Sequence, residues 1–339
     1  MTKTPQQVRL HLKEFTQLLF SSETSYIELK DALDTFKNLL IEVSELNLES
    51  EDSSENVLLK KGKAIGTKWA AMCIEDLIRT KKFISAVKKA IDRKLDKDTS
   101  KPVTLLYAGT GPFATLVLPL TSLYSPQQLQ LVLLEVNEFS FTNLCSLLNK
   151  LELNDYIQTI EKVDATEYVV ENPNIDILLI ECLQHALLRE PQVAITLNLV
   201  PQLQPGVILI PEKISLHLCL VNSRLQYESL TNLDAEGESF YESIFEVFTL
   251  NKESCSNPES LLSEKMFTID SEINKEYNQI AVFTEMQLFE DEILNFNESG
   301  LTLPLTIAEN PGLKIGDKIV SKYLLNEDPR LDIKIKPIA

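Results

Sequence analysis

The stretch Val103–Ala108, followed at once by Gly109-Thr110-Gly111, constrains this chain more than any other feature. An apolar run that ends in a glycine pair reads as a buried strand opening into a ligand loop, because glycine lets backbone approach a bound molecule closely. The same texture recurs downstream. Residues 129–134 are apolar and end at Glu135; residues 156–163 precede Asp164; residues 175–180 precede Glu181; a fifth run starts at 206–210. Helical patterns follow Gly111 and span residues 139–151 and 193–203. Short apolar strands alternating with helices predict a parallel sheet buried on both faces. The polar residues then fall just past the strand ends, where open α/β sheets bind ligands.

Either side of this core the pattern differs. Residues 5–46 carry two helical stripes, Val8, Leu10, Leu12, Phe15, Leu18 and Leu19 in one and Tyr26, Leu29, Leu33, Phe36, Leu39 and Leu40 in the other. Residues 47–56 are acidic and serine-rich and read as a linker or mobile loop. Residues 69–95 read as one long helix or two joined ones, rich in Lys and Arg. Beyond about residue 214, β-formers alternate with turns such as Asn310-Pro311-Gly312, predicting an antiparallel, barrel-like unit with one excursion near 253–263. Three units follow: a helical extension over 1–60, a Rossmann-like unit over 61–213, and a β-barrel-like unit over 214–339.

Composition removes several classes of function. The formal charge is -18 in 339 residues. Such a surface repels nucleic acid and favours a basic partner. No apolar run approaches the roughly 20 residues that span a bilayer, and the start Met1-Thr-Lys-Thr-Pro5 lacks a signal peptide's apolar core. The five cysteines are scattered without a CxxC pair, and three histidines give no metal-ligand spacing. A reduced, cytoplasmic protein without a metal is the expectation.

The loop chemistry narrows the ligand. Glu135, at the end of the second strand, is placed to accept from two ribose hydroxyls. A dinucleotide needs N–H groups for its pyrophosphate, yet Pro112 removes one and Ala114 stands where a third glycine belongs. S-adenosylmethionine (SAM) has no phosphate and loses nothing. Asp164 could accept from an adenine amine. Ala108, Gly109, Thr110, Gly111, Glu135, Asp164 and Ala165 are the expected cofactor contacts, within an α/β Rossmann-like methyltransferase unit of seven strands.

Four segments in order resemble the protein arginine methyltransferase family. Glu75-Asp-Leu-Ile-Arg79-Thr80 is similar to the family's helix ahead of the sheet, and the resemblance implies that Arg79 holds the SAM carboxylate. Ala108-Gly-Thr-Gly-Pro112 is similar to the loop of the branch making symmetric dimethylarginine. Glu135-Val-Asn137 resembles the family's acid after the second strand. Glu181 and Glu190 have the spacing of the two glutamates that grip the guanidinium, and residues 203–212 continue the match. The resemblance covers about residues 70–215. It implies methyl transfer to a nitrogen of a basic protein or peptide, with Glu181 and Glu190 catalytic, and a homodimer whose arm the 253–263 excursion would supply.

The sequence also departs from that family. Tyr107 stands at the first motif glycine and Leu105 at the usual acid. The Thr-His-Trp loop is missing near 297–304, and Cys182-Leu-Gln-His185 replaces the residues after the first glutamate. A small metabolite or modified biosynthetic peptide as acceptor therefore stays open, as does a catalytically silent scaffold. His185 is a candidate general base. Trp69 reads as a core residue of its helix, Cys182 as a small buried residue, and Lys60-Lys61-Gly-Lys63 as a solvated basic run.

Overall fold

The computed structural model describes residues 4–231 and 239–338; the Met1–Lys3 start discussed above lies outside them, as do 232–238 and 339. The chain opens with an antiparallel helical pair, α1 (Pro5–Phe20) and α2 (Tyr26–Ser44). Each begins with a reciprocal cap, Thr4 with Gln7 and Ser25 with Glu28, which satisfies amide donors that a helix start leaves open. Their apolar stripes meet, and Phe15 stacks on Phe36 at 4.3 Å between ring centroids.

Residues 47–56 are not a loose linker. They form turns and a short helix, α3 (Glu51–Ser54), in which Ser53 is buried and its hydroxyl donates to the Ser50 and Leu48 carbonyls. Local side-chain hydrogen bonds fix the segment that composition marked as mobile. A hairpin of β1 (Val57–Leu59) and β2 (Gly62–Ala64) follows, carrying the basic run in its turn. Helix α4 (Thr67–Met72) and α5 (Leu77–Lys97) are separated by a 3-10 turn, so the two-helix reading of 69–95 holds.

The parallel sheet comprises β3 (Val103–Ala108), β4 (Leu129–Glu135), β5 (Ile157–Lys162), β6 (Ile177–Ile180) and β7 (Ile208–Ile210), in the order β5-β4-β3-β6-β7. Helix α6 (Glu138–Lys150) joins β4 to β5, and α7 (Gln192–Leu199) joins β6 to β7. Alternate residues of β3 feed two apolar clusters: Leu105 and Tyr107 on one face, Leu106 and Ala108 on the other. That double burial is why these strands read as unbroken apolar runs. Among the described residues the sheet has five strands, where seven were expected. After β7 the chain leaves for antiparallel pairing, so no sixth or seventh strand joins this sheet. The helix expected after Gly111 is also absent: residues 111–117 turn, Ala114 takes φ +45°, and a 3-10 helix spans Leu118–Ser122. Pro112 and Pro119 withhold two amide donors from any regular helix there.

The remainder is antiparallel. Strands β8 (Lys213–Val221), β9 (Tyr241–Asn251), β11 (Gln279–Phe289), β12 (Glu292–Leu294) and β13 (Leu305–Glu309) form one sheet; β10 (Lys265–Thr268), β14 (Lys318–Leu324) and β15 (Arg330–Lys336) form another. Helix α8 (Ser223–Thr231) follows β8. The 253–263 excursion consists of two short helices, α9 (Lys252–Cys255) and α10 (Pro258–Leu261), folded back on their own chain: Cys255 and Leu261 are buried and Lys252 Nζ donates to the Val207 carbonyl. The cationic face of α5 meets acids of the β11–β12 turn. Lys82 pairs with Glu298 at 2.5 Å, Lys89 with Asp291 and Glu292 at 2.7 Å, and Arg93 with Glu290. Each half-exposed pair contributes at most about 1 kcal/mol, but together they account for the basic composition of this one helix in an acidic chain.

Candidate active site

A cleft of about 710 Å³ opens at the carboxyl ends of the central strands. Strand β3 delivers Tyr107 and the loop Gly109–Gly111; β4 delivers Glu135; α5 delivers Arg79 and Thr80; the segment after β6 delivers Glu181, Cys182, Leu183 and Glu190. Ala70, Cys73 and Ile74 come from α4 and the turn after it.

At one end the loop is held by Glu135. One carboxylate oxygen accepts from the Gly111 amide at 2.7 Å, the other from the Asn137 amide at 2.8 Å. The group is buried, which pushes its pKa up, while these amide donors pull it back. Gly109 and Gly111 take φ +85° and +59°. A Cβ on Gly109 would lie 2.3 Å from Cys182 Sγ and 2.7 Å from the Glu181 carbonyl oxygen. Glycine is therefore required here by both conformation and space. Asn137 caps α6 and accepts from the Thr67 hydroxyl at 3.0 Å, which ties the start of α4 to the same corner.

At the other end lies an ion pair. Arg79, 6% exposed, holds Glu181 at 2.5 Å through Nη2 and donates from Nη1 to the Cys73 carbonyl at 2.8 Å. Burial opposes the guanidinium charge, and Glu181 more than offsets this, so the pKa is pushed up. Among the described residues nothing accepts from its Nε, a buried donor in the cleft wall. An unpartnered buried donor costs free energy and marks a place for an acceptor. Glu190, 8% exposed, has its pKa raised from 4.5 to about 8, first by burial and then by Glu181. The phenol of Tyr107, buried beside these groups, is pushed up as well, by burial and then by Glu181. Burial also raises both cleft thiols, Cys73 and Cys182, so neither is a ready nucleophile.

The backbone that carries the two glutamates is strained and braced. Ala186, Leu187 and Arg189 all have positive φ, between 53° and 62°. Non-glycine residues hold that conformation only where surroundings impose it. Here the Ala186 amide donates to the Thr284 hydroxyl, Tyr323 donates to the Leu187 carbonyl, and the Arg189 amide donates to the Pro329 carbonyl. From the opposite side the Lys63 amide donates to the Arg189 carbonyl at 2.9 Å. Strands from the antiparallel part and the β1–β2 hairpin therefore clamp one short segment. Neither set of contacts is visible as a motif, because all the partners are remote in sequence.

Of the expected site residues, the cleft brings together Arg79, Gly109, Thr110, Gly111, Glu135, Glu181 and Glu190. Ala108, Asp164, Ala165 and His185 are not among its lining residues. Asp164 accepts from the Thr166 amide, and Lys60 of the β1–β2 turn pairs with the neighbouring Glu167 at 2.8 Å. Lys60 stays largely exposed in that pair, as expected of a solvated basic run. His185 sits in a 3-10 turn, its pKa lowered by burial and then by Arg189. Trp69 is 55% exposed, so it is not a core residue of its helix. Lining residues that the sequence did not assign to the site include Ala70, Cys73, Ile74 and Thr80; they come from α4, the turn after it and the start of α5, where no motif assigns them a contact. The loop 297–303, where the Thr-His-Trp segment was missing, is latched instead to the α5 cap: Asp76 accepts from the Ser299 hydroxyl at 2.7 Å and the Gly300 amide at 2.8 Å.

No family model and no curated protein matches the sequence. Solved structures do resemble it. The Trypanosoma brucei PRMT1 enzyme-prozyme heterotetrameric complex with AdoHcy superposes with a TM-score of 0.52 at 14% identity, over 79% of this chain and 92% of that one. PRMT6 gives 0.51 at 10% identity over 74% and 95%, and PRMT6-SAH gives 0.50 at 9% over 74% and 97%. The likeness is one of fold: a Rossmann-like sheet joined to an antiparallel, barrel-like part, as in the family whose motifs the sequence resembles.

Proposed function

We propose that the chain is a SAM-dependent methyltransferase that methylates a nitrogen of a basic protein or peptide, with an arginine guanidinium as the acceptor the cleft suits best. The observation that carries this reading is Arg79 with its unpartnered Nε, beside two buried carboxylates at the strand ends. Two of the similar structures, the PRMT1 complex with AdoHcy and PRMT6-SAH, carry in their names the demethylated product of SAM.

The residues fit such a cofactor. Glu135 accepts from the Gly111 amide and the Thr110 hydroxyl at Oε2 and from the Asn137 amide at Oε1, so Oε1 is the freer oxygen for a ribose hydroxyl. Gly109 and Gly111 supply the positive φ of the loop, and Gly109 lets it pack directly on Cys182 and Glu181 at the floor of the cleft. Arg79 Nε offers a charge-assisted donor to an amino-acid carboxylate. When bound, SAM would supply an electrophilic methyl group. This chain's own residues would do the rest. Glu181 and Glu190 would bind and orient the planar guanidinium. Arg79 would neutralise one of the two, and the braced 185–190 backbone would keep their spacing. Positioning of this kind contributes several kcal/mol without covalent help. Burial and Glu181 favour the protonated form of Glu190, and an arriving guanidinium would favour its ionised form and release a proton.

One feature favours a second reading, the catalytically silent scaffold. Tyr107 fills the place of the first motif glycine beside Arg79, and Glu181 already occupies the guanidinium that a ligand carboxylate would use. Calorimetry with SAM and SAH separates the two, since a folded chain that binds neither is no methyltransferase. For the acceptor, labelled SAM is incubated with arginine-rich peptides. Glu190→Gln should abolish transfer while SAM binding persists; unimpaired transfer would sink the double-glutamate assignment.

A further inference from the structure

The helical pair α1–α2 carries a groove of about 860 Å³ along one edge of its packed seam. Its floor is the stacked Phe15–Phe36 pair, and Ala32 and Leu18 line it. Its carboxylates are Glu14 from α1 and Glu28 and Asp31 from α2; no Lys or Arg lines it, and His11 leans on Glu14 at 3.2 Å. Helical spacing extends both rims. Leu10, Glu14 and Leu18 recur every fourth residue on α1, as do Ile27, Asp31 and Thr35 on α2. Leu10 is 56% and Ile27 71% exposed, and Leu18 is also exposed. Each rim thus sets a carboxylate near a large, partly exposed apolar side chain, Leu10 and Leu18 on α1 and Ile27 on α2.

We infer that this groove docks a basic amphipathic helix of a partner protein. The width between two packed helices suits a third helix, and its apolar stripe would cover Leu10, Leu18 and Ile27 in the manner of helix-in-groove recognition. Lys or Arg flanking that stripe would meet Glu14, Glu28 and Asp31. A second copy of this chain is disfavoured, because a two-fold contact here would set these three acids against their own copies. An anionic membrane is disfavoured for the same reason of charge. The site lies outside the segments that resemble the methyltransferase family, and it stands whether or not methyl transfer does.

The test uses the full chain and fluorescence anisotropy. The probe is a labelled peptide of about 18 residues, long enough for helix, with Leu along one face and Lys on the flanks. A scrambled peptide of equal composition and a version with Glu for Lys serve as comparisons. The basic amphipathic peptide should bind about tenfold or more tighter than either. Glu14→Lys with Asp31→Lys should weaken it about tenfold, and Leu18→Asp by a similar factor. Reversing two remote exposed acids, Glu264→Lys with Glu272→Lys, should change it by less than about twofold. Circular dichroism shows that each variant keeps its helix. Equal binding of the scrambled peptide, or equal loss on the remote reversal, overturns the proposal in favour of general charge attraction. A dimer in sedimentation that Leu18→Asp dissociates overturns it in favour of self-association.

Discussion

The two ends of the cleft are built on opposite terms. At the Glu135 end the polar groups are engaged: both carboxylate oxygens accept amide protons, and Asn137, Thr67 and Ser140 form a closed set of hydrogen bonds. At the Arg79 end they are only partly so. Arg79 has a donor to spare, and Glu190 is raised to about 8. The contrast separates a part that local backbone shapes in advance from a part that is stable only as a balance of buried charges. The first is held by hydrogen bonds from neutral donors. The second keeps an unpartnered donor near a carboxyl whose pKa is raised.

Breaking the balance should have the largest effect. Arg79→Ala leaves Glu181 buried without its partner, a loss of about 3–5 kcal/mol in folding stability. It should also weaken SAH by more than about 100-fold, read by thermal denaturation and calorimetry. Unchanged stability would mean that Glu181 is solvated and the pair unimportant. Gly109→Ala comes next. The new Cβ would meet Cys182 Sγ and the Glu181 carbonyl, at a positive φ, which should cost about 2–3 kcal/mol. Pairing it with Cys182→Ala should recover only part of that, because the carbonyl is backbone. Full recovery would show that the thiol alone sets the constraint.

The legibility of the two ends follows the same division. Glu135 and the glycines were readable because local backbone fixes their roles: a strand end, a turn, a helix start. Arg79, Glu181 and Glu190 were readable only through spacing shared with a family, and that Arg79 pairs directly with Glu181 was not. Asp164 and His185 followed the same local rules yet line no part of the cleft, since a position after a strand fixes a residue's neighbourhood but not its direction. The brace at 185–190 was invisible, as its partners Thr284, Tyr323 and Pro329 are roughly a hundred residues or more away. The strand count failed for a different reason. The residues themselves gave five apolar runs and an antiparallel unit after them, which is what forms; the number seven came from the general methyltransferase fold and not from this chain's pattern.

Glu190→Gln sharpens the contrast through pH. The folded pKa lies near 8, above the ordinary 4.5, so the folded state holds a proton that the unfolded chain releases. That contribution is fully present below about pH 4.5 and is lost as pH rises through about 8. Wild-type stability should fall by a few kcal/mol across this window, and the Gln variant, which cannot ionise, should lose that part of the slope. Melting temperatures of both proteins between pH 5 and 9 decide the matter: parallel curves would mean that Glu190 ionises normally.

The smallest effect is expected from Glu135→Gln, because the amide oxygen can still accept from one of the two backbone donors. Its amino group, however, would face the other as a donor against a donor. The loss should be about 1–2 kcal/mol of stability. Its ligand signature should be selective. Adenosine and SAH both carry ribose hydroxyls, so both should weaken by a similar factor of about ten, whereas Arg79→Ala should weaken SAH and spare adenosine, which has no carboxylate. If Glu135→Gln instead weakened SAH alone, the hydroxyl-binding role would belong to another residue, and the contrast between a preorganised end and a charge-balanced end would have to be redrawn.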